Sequence, residues 1–518
     1  MKQQFQKYAP FFQLLFLCFF YAYKAINFPI HDFTNYYFGA QFLANENFNN
    51  TIYFPYKFSK AIIAVGNQNI FASYAPNTPF LAVFFLPFTF FSVIKAKIIF
   101  NIISSILLVL SCYRLLNFYK INFIYVILIP VLFFIPIKNN LLFGQVYFLL
   151  FFLLSEFFIA YEKQQFKKTG FFLSLAILLK VFPILFVLLF LFKKQFKPLF
   201  YTLIFGVLLL GISIIFIGFD IWIFFFKSVL PKASNGEIAT AFVDNYQSVF
   251  MFLKRLLVYD ATENQTAFFN NLALFSGFIF SLKVVLIAVG YFFTSKNTNN
   301  LVVFSYWVFV SFLISPYGST YGFILLLFLF FCLLQSSISN IHKIILLLLI
   351  FVINTIPASC AANAAFPFSY LKLFTLLLLF AAFLFLFQKN INYKIVVTIT
   401  VLSLAFFLIL KQPKIINFNY LLDKNAPILI YNFELKKNKL TYFYWNEKGE
   451  NSKSIPFKHT INQKIEVINN QVYYNKKQVT FDTSNKLKPI LIDKKTVLYL
   501  SDYDRGIGFY TIRKIELN

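Results

Sequence analysis

Acidic residues are scarce in this sequence. The 518 residues include 19 Asp and Glu against 46 Lys and Arg, and 10 of the 19 acids lie from residue 411 onward. Nine carboxylates therefore serve the first 410 residues, and only Glu156 falls inside a long apolar run. Since acid–base chemistry needs a titratable group beside the reacting atoms, the candidates are few. They are Asp32, Glu46, Glu156, Glu162, Asp220, Glu237, Asp244, Asp260 and Glu263.

Cysteine and histidine are equally sparse. The four cysteines, Cys18, Cys112, Cys332 and Cys360, lie within or beside apolar runs and form no CxxC motif, which argues against a disulfide framework. The three histidines, His31, His342 and His459, are far apart in the sequence, and the nine acids of the first 410 residues form no DxD pair. We therefore expect no metal site and no cofactor.

Apolar residues dominate what is present. The chain is 59% hydrophobic with a mean hydropathy of +0.71, which is typical of a polytopic membrane protein. Apolar runs of spanning length recur up to residue 410, and we expect about 13 transmembrane helices. Their predicted bounds are 9–27, 78–94, 97–113, 121–137, 143–160, 169–192, 198–218, 271–294, 300–315, 319–336, 342–357, 370–388 and 393–410.

The net charge of +27 is not evidence for nucleic-acid binding. Lys, Asn, Ile, Phe and Tyr are all abundant together, which indicates a general compositional bias, and we expect no nucleic-acid partner. Basic cytoplasmic loops and a basic tail beside anionic lipid explain the charge. With an uncleaved first helix and the N-terminus inside, most short basic loops fall inside, and residues 28–77 and 219–270 fall outside. Lys163, Lys167 and Lys168 disagree, because this scheme places them outside.

The last part of the chain changes character. From residue 411, short runs of alternating apolar residues such as Leu440-Thr-Tyr-Phe-Tyr444 are separated by turn-like segments such as Glu447-Lys-Gly-Glu450. This pattern predicts a small β domain over residues 411–518, after an all-α membrane domain over residues 1–410. The β domain has no catalytic motif, and a structural or docking role is the simplest interpretation of it.

A polar and aromatic loop over residues 28–57 follows the first apolar run. It places one carboxylate, Asp32, next to the membrane surface, followed by Tyr36, Tyr37 and, further on, Tyr53. Asp32 is a candidate general base. Its alternative role is a helix N-cap, since Phe33 to Leu43 reads as a surface helix.

Dispersed motifs resemble those of glycosyltransferase family 87. In order, the motifs are Asp32-Phe-x-x-Tyr36-Tyr37-x-Gly-Ala, Tyr74-Ala-Pro-Asn-Thr-Pro79, Phe143-Gly-Gln-Val146, Lys180-Val-Phe-Pro183, Asn245-Tyr-Gln-Ser248 with Arg255, and Ser315-Pro316. Together they cover roughly residues 9–335. The sequence departs from the family pattern at Asn77 and Thr78, where the family has Pro-Pro, and at Tyr147, where Asn is usual. It also has Tyr317 to Tyr321 where the late turn of the family often carries Trp and His.

The resemblance implies a membrane protein of GT-C fold that uses a polyprenyl-phosphate sugar as donor. It implies inverting transfer of a hexose, mannose being the best-known sugar of the family, at the outer membrane face. The general base maps onto Asp32. An outward-facing transferase needs a lipid-anchored donor, because nucleotide sugars stay in the cytoplasm. One carboxylate suffices, because direct displacement inverts the anomeric carbon without a second nucleophile.

The remaining candidate residues would bind substrate. Lys180, Lys254 and Arg255 could neutralise the leaving phosphate. A Lys as deep in a span as Lys180 should face a polar cavity or a partner, and pairing with Glu156 in a structural role is the alternative. Amides of Gln145, Asn245 and Gln247 could hydrogen-bond sugar or phosphate, or link helices. Tyr36, Tyr37 and Tyr53 could stack on a sugar, or form an interfacial aromatic belt.

Two other functions fit a polytopic membrane protein. One is a lipid-linked glycan polymerase or ligase, which would not need Asp32. The other is a transporter or flippase of polyprenyl-linked glycan, which predicts inverted repeats and several intramembrane charges. The expected location is the bacterial inner (plasma) membrane, with the active site and the β domain outside the cytoplasm. The expected partners are membrane lipid, the lipid-linked donor, and a glycan or glycolipid acceptor of the cell envelope.

Overall fold

The computed structural model describes residues 2–67, 70–243, 245–260, 263–357, 364–387, 393–410, 419–422, 427–446 and 449–517. Asp244 and Cys360 lie outside the described residues. The first part of the chain is helical, and its α-helices are α1 (Lys2–Lys24), α2 (Phe33–Ala44), α3 (Pro55–Ala64), α4 (Phe80–Phe85), α5 (Val93–Phe118), α6 (Leu128–Leu132), α7 (Phe134–Phe143), α8 (Tyr147–Glu162), α9 (Phe166–Leu179), α10 (Val187–Phe192), α11 (Phe196–Ile217), α12 (Phe219–Phe224), α13 (Leu230–Ser234), α14 (Val249–Leu257), α15 (Leu272–Lys296), α16 (Asn300–Ile314), α17 (Leu327–Gln335), α18 (Asn340–Thr355), α19 (Leu371–Phe387) and α20 (Tyr393–Leu410).

Several predicted spans are broken helices. The segment 169–192 stops at Lys180, whose backbone is extended (φ −146°, ψ 129°), and restarts as a 3-10 turn (Phe182–Phe186) with Pro183 in its first turn. Proline lacks the N–H that a continuous helix needs, and it favours an extended preceding segment. The segment 78–94 likewise divides into α4 and a second 3-10 turn (Leu86–Phe90) that contains Pro87.

The expected number of spans is not confirmed. Among the described residues, 4 helices are long and apolar enough to cross a membrane, namely α5, α11, α15 and the helix Phe368–Phe387. A bent pair, Phe123–Leu132 with Phe134–Phe143, brings the number to 5 if it counts as one span. Six shorter apolar helices accompany them. Exposed apolar side chains along α11, such as Leu203, Val207 and Ile215, fit a lipid-facing surface.

Close helix contacts depend on small residues. Gly170 of α9 lies against α11, where an added Cβ would come within 2.5 Å of the backbone of Tyr201. One turn later the hydroxyl of Ser174 donates a 2.7 Å hydrogen bond to the carbonyl of Thr202. Small residues and interhelical hydrogen bonds are the usual means of packing helices in lipid. Residues of α9 meet residues of α11 in the same order along the chain, so the two helices run side by side in the same direction.

Contacts of α5 show which loops lie at each end of the helical region. At one end, Lys97 near the start of α5 donates a 3.0 Å hydrogen bond to the carbonyl of Pro29, so α5 begins beside the Asp32 loop. The other end of α5 lies near Lys163, whose ammonium is 5.7 Å from the Phe118 ring centre. The sequence-based scheme, which placed Lys163 on the same side as residues 28–77, is therefore corrected. Lys95 and Lys97 share the end of Asp32, and Lys163 lies at the opposite end, because 78–94 is not a separate full-length helix.

The C-terminal part is a β region. Its strands are β1 (Asn419–Tyr420), β2 (Leu429–Lys436), β3 (Lys439–Asn446), β4 (Gly449–Pro456), β5 (Gln463–Lys464), β6 (Glu466–Ile468), β7 (Gln471–Tyr474), β8 (Lys477–Gln478), β9 (Lys486–Asp493), β10 (Thr496–Ser501) and β11 (Thr511–Glu516). They form a five-stranded sheet of order β1-β11-β10-β9-β5 and two three-stranded sheets, β2-β3-β4 and β6-β7-β8, with antiparallel pairing throughout.

The β region is seated on the helical region at the Asp32 end. The Tyr56 ring of α3 stacks on Tyr431 with a centroid separation of 3.8 Å, and Lys60 lies 3.2 Å from the Glu450 carboxylate. The loop between β10 and β11 penetrates further, since Ile507 joins the main hydrophobic core. The expected small β domain is thus present as a C-terminal β region in close contact with the helices.

Candidate active site

Asp32 occupies the N-cap position of α2, but its side chain does not cap the helix. Its backbone is helical (φ −63°, ψ −23°), and its carboxylate makes no capping hydrogen bond. Instead, Oδ2 accepts a 2.6 Å hydrogen bond from the side-chain amide of Gln145. The preceding residue, His31, has a left-handed backbone (φ 57°) and stacks on Phe143 at 4.3 Å, with Nδ1 3.8 Å from Asp32 Oδ1. The side chain of Asp32 is 35% exposed. It is therefore both held in place and accessible.

Gln145 reaches Asp32 because α7 ends in a tight turn. Gly144 closes the helix with a left-handed backbone (φ 67°), a conformation that glycine adopts at low cost. A Cβ at this position would lie 2.7 Å from the Cβ of Phe33, the residue after Asp32. The missing side chain thus lets the end of α7 meet the start of α2.

Tyr36 fixes the other end of the Gln145 amide. One turn into α2, its hydroxyl donates a 2.8 Å hydrogen bond to Gln145 Oε1. Tyr36 is 1% exposed and Gln145 is 4% exposed. Burial raises the pKa of Tyr36 well above its ordinary value, and the charge of Asp32 adds to this effect. The phenol therefore stays a donor at physiological pH, which orients the amide so that its NH₂ group points at Asp32.

Two lysines, the buried Lys97 and the half-buried Lys180, lie within electrostatic reach of Asp32. Lys180, at the break between α9 and the next 3-10 turn, donates a 2.9 Å hydrogen bond to Asn77 Oδ1. Lys97 is 2% exposed and bonds the Pro29 carbonyl. The alternative pairing of Lys180 with Glu156 is wrong. Glu156 pairs with both Nε and Nη2 of Arg114 in a two-point contact.

Three phenols complete the surroundings of Asp32. Tyr147, Tyr246 and Tyr321 each interact electrostatically with its carboxylate. The rings of Tyr147 and Tyr321 lie 5.2 Å apart. Burial raises the pKa of Tyr246 to about 12, with a smaller contribution from Asp32. The site is thus a carboxylate surrounded by hydroxyl donors, rings and two ammonium groups, a set that suits a sugar phosphate.

Comparison with known families decides the activity. Residues 75–316 match the sequence model of Glycosyltransferase family 87, which is just under half of the chain. The match identifies the chain as a glycosyltransferase. It confirms the resemblance seen in the dispersed motifs. No curated protein and no solved structure matches the chain.

The matched region contains only part of the candidate site. Gln145, Lys180, Asn245, Gln247, Lys254 and Arg255 lie within residues 75–316. Asp32, Tyr36, Tyr37 and Tyr53 precede them. The structure joins the two parts through the hydrogen bond between Asp32 and Gln145.

Two of the tyrosines point away from Asp32. The hydroxyl of Tyr37 donates a 2.8 Å hydrogen bond to the carbonyl of Phe91. Tyr53 is fully buried and bonds the carbonyl of Asn77 at 3.1 Å, with its ring against Tyr74. Tyr53 therefore supports Asn77, the partner of Lys180. Both tyrosines act as packing groups in this conformation of the transferase.

The residues expected in the loop after α13 are dispersed. Asn245 is exposed. Gln247 is 3% exposed and donates to the Ser369 carbonyl at 2.9 Å. Lys254 pairs with Asp504 of the β region at 2.9 Å, and Arg255 lies 5.8 Å from the Phe242 ring centre. The structure thus places Lys254 at the contact with the β region, whereas Arg255 lies beside Phe242 and Tyr370 of the helical region.

Sequence reasoning missed Lys97. A cavity of about 330 Å³ lies beside the Asp32 loop and is lined by Lys97, Ile94 and the segment 25–30. A signal was present, since Lys97 lies within a run that was taken as a membrane span, where an ammonium needs a partner. Three other missed groups, Asn77, Tyr147 and Tyr321, lie where the chain departs from the family pattern, whereas the missed Tyr246 lies inside one of the matching motifs.

The described part of the transferase shows no close group of three or more His, Cys, Asp or Glu side chains that could hold a metal ion. Metal-independent transfer stays a prediction.

Proposed function

We propose that this glycosyltransferase moves a mannose-like hexose from a polyprenyl-phosphate donor to a cell-envelope glycan or glycolipid, with inversion and with Asp32 as the general base. The observation that carries the proposal is the chain of hydrogen bonds from Tyr36 through Gln145 to Asp32. It holds one accessible carboxylate in a fixed orientation. The exposed face of Asp32 is where an acceptor hydroxyl would bind.

The chemistry needs a single displacement. Asp32 takes the proton from the acceptor hydroxyl while the hydroxyl oxygen forms a bond with the anomeric carbon. The bond between that carbon and the phosphate oxygen breaks, and polyprenyl phosphate leaves with the electron pair. Asp32 then releases its proton to water. The attack and the departure occur on opposite faces of the sugar, so the anomeric configuration inverts.

The leaving phosphate gains negative charge and needs cationic partners. Lys180 and Lys97 both interact electrostatically with Asp32, so both lie near the reacting groups. We infer that they receive the phosphate. The pairing of Lys254 with Asp504 makes Lys254 a less suitable partner.

The distribution of lysines supports an extracytoplasmic site. Lys120 follows the end of α5, Lys163 follows α8, and Gln195, between Lys194 and Lys197, bonds Tyr161 near the end of α8 at 2.6 Å. Asp32 lies at the other end of the same helices. Short basic loops favour the cytoplasmic side. We therefore place Asp32 and the β region outside the cytoplasm of a bacterial inner membrane.

The test is sugar transfer by the purified, detergent-solubilised protein with a panel of radiolabelled polyprenyl-phosphate sugars. We expect Asp32→Asn to lower the rate by about 100-fold or more, because general-base catalysis contributes about 10²–10⁴-fold. Glu46→Gln removes an exposed carboxylate just after α2 and serves as the matched control, with unchanged rate.

Other outcomes separate the alternatives. Equal transfer by wild type and Asp32→Asn would remove Asp32 from the mechanism and favour a lipid-linked glycan polymerase or ligase. Absence of transfer from every donor, together with movement of a labelled polyprenyl-linked glycan across vesicles, would support a flippase instead.

A further inference from the structure

A second polar cavity lies at the opposite end of the helical region from Asp32. It measures about 460 Å³ and opens between the ends of α5 and α8 and the starts of α9 and α11. α8 runs from Tyr147, two residues after Gln145, to Glu162. At about 1.5 Å per residue, this helix separates the cavity from the candidate active site by roughly 20 Å. The cavity is therefore not part of the transfer site.

The cavity is strongly cationic. Its lining includes Arg114, Lys163, Lys167 and Lys168, against the single carboxylate of Glu156. Glu156 is neutralised by its two-point contact with Arg114. Among the described residues, none of the three lysines lies in an ion pair. Three lysines thus line one concave surface without a neutralising carboxylate, and this arrangement favours an anionic ligand.

Aromatic side chains form the other wall. Phe171 and Phe172 lie on α9, one turn after Lys167 and Lys168, so they share a face with those lysines. Phe205 of α11 packs against Phe171 with a centroid separation of 5.6 Å. Phe205 belongs to a helix whose apolar side chains are largely exposed, as expected beside lipid. The cavity is therefore lined by basic side chains on one side and by apolar side chains on the other.

We propose that this cavity binds one anionic phospholipid. The phosphate contacts Lys163, Lys167 and Lys168, and the upper part of an acyl chain lies along Phe171 and Phe205. The charges argue for an anionic headgroup, and the lipid-facing wall argues for a bound tail. Basic pockets between membrane helices on the cytoplasmic side are recognised sites of this chemistry. The bound lipid would fix the ends of α5, α8 and α9 relative to each other.

Native mass spectrometry of the full-length protein in detergent tests the proposal, with phosphatidylglycerol and phosphatidylcholine as probes. Wild type is expected to bind one phosphatidylglycerol at least about 10-fold more tightly than phosphatidylcholine. The triple variant K163Q/K167Q/K168Q should lose this preference, because each lysine near an anionic headgroup contributes about fivefold. The triple variant K120Q/K194Q/K197Q removes the same charge from exposed positions at the same end and should retain the preference.

Three results would overturn the proposal. Equal loss in both triple variants would mean that the surface charge of this end attracts lipid without a site. Complete displacement of phosphatidylglycerol by millimolar inorganic phosphate would indicate a site for free anions. Binding of polyprenyl phosphate to the same lysines in preference to phosphatidylglycerol would assign the cavity to the substrate lipid.

Discussion

The amide of Gln145 donates a 2.6 Å hydrogen bond to the carboxylate of Asp32 across 113 residues of sequence. One residue comes from the turn that ends α7, and the other from the start of α2. Because Tyr36 holds the other end of the same amide, the contact links the orientation of Gln145 to the candidate base. It also makes the site sensitive to changes that leave Asp32 itself intact.

Gln145→Glu should move the acidic limb of the pH–rate profile to higher pH. A second carboxylate at this position disfavours the ionised form of Asp32, so a higher pH is needed to generate the base. The measurement is kcat/KM for sugar transfer between about pH 4 and 9. Asn45→Asp adds a carboxylate at the exposed end of α2 and should leave the limb in place. If the acidic limb of Gln145→Glu did not move, Asp32 would not be the general base.

Tyr36→Phe should lower activity, whereas Tyr37→Phe should not. Loss of the Tyr36 hydroxyl leaves Gln145 Oε1 buried without its donor, which costs about 1–3 kcal/mol and frees the amide to rotate. We expect kcat to fall by roughly 10-fold or more. The Tyr37 hydroxyl bonds the Phe91 carbonyl, so its loss should change thermal stability alone. Equal rates in the two variants would show that Tyr36 does not position the site.

Gly144→Ala should impair both folding and transfer. The new Cβ meets Phe33 at 2.7 Å and the backbone is left-handed, so we expect a cost above the roughly 1–2 kcal/mol of the conformation alone. Gly66 has a similar φ of +89° with nothing within 4 Å of a new Cβ. Gly66→Ala therefore isolates the conformational cost. Thermal unfolding of both variants measures the difference, and matching values would rule out the contact with Phe33.

Glu237 should make stability depend on pH. Burial raises the pKa of Glu237 from its ordinary value of 4.5 to about 7, although Lys232 acts in the opposite direction. Between these values the folded state keeps a proton that the unfolded state has lost, so stability falls as pH rises, by up to about 1.4 kcal/mol per pH unit. The difference in melting temperature between wild type and Glu237→Gln should change across pH 4.5–7. The exposed Glu46→Gln serves as control, and a constant difference would refute the prediction.

Removing Asp504 should destabilise the protein more than removing its partner. Lys254 is 3% exposed, whereas Asp504 is 34% exposed. Asp504→Ala leaves a buried ammonium whose remaining hydrogen-bond acceptor within the described part of the chain is the Ala241 carbonyl, at a cost of about 3–5 kcal/mol. Lys254→Met leaves a carboxylate that water can reach, and should cost less. Denaturant unfolding of both single variants and of the double variant measures the losses of stability. A larger loss in Lys254→Met than in Asp504→Ala would contradict the prediction.

The sequence predicted the membrane character, the β region and the glycosyltransferase activity. It also selected Asp32, Gln145 and Lys180, which the structure brings to one end of the helical region. These predictions rested on composition and on ordered motifs, which need no knowledge of how helices pack. The number of spans did not follow from hydropathy, because Pro87 and Pro183 break apolar runs that look continuous.

The direction in which side chains point could not be predicted from the sequence either. Tyr37 and Tyr53 share the loop of Asp32, yet their hydroxyls bond backbone carbonyls elsewhere. Lys254 looked like a phosphate ligand, but its partner Asp504 lies 250 residues away in a part of the chain with no motif. Such partners depend on tertiary contacts, and no local pattern reports them.

The loop between β10 and β11 restricts how this protein can diverge. Gly506 donates a 2.7 Å backbone hydrogen bond to Ala239, and a Cβ at Gly506 would lie 2.0 Å from the carbonyl oxygen of Ile238. Lys232 is bound to the carbonyls of Asp502 and Arg505 at 3.0 Å. The loop between β10 and β11 and the segment from Lys232 to Ala239 are closely packed against each other. The β region therefore cannot be replaced independently of the helical region. We therefore expect a chimaera that exchanges residues 419–517 with those of a relative to fold only if residues 230–242 are exchanged as well.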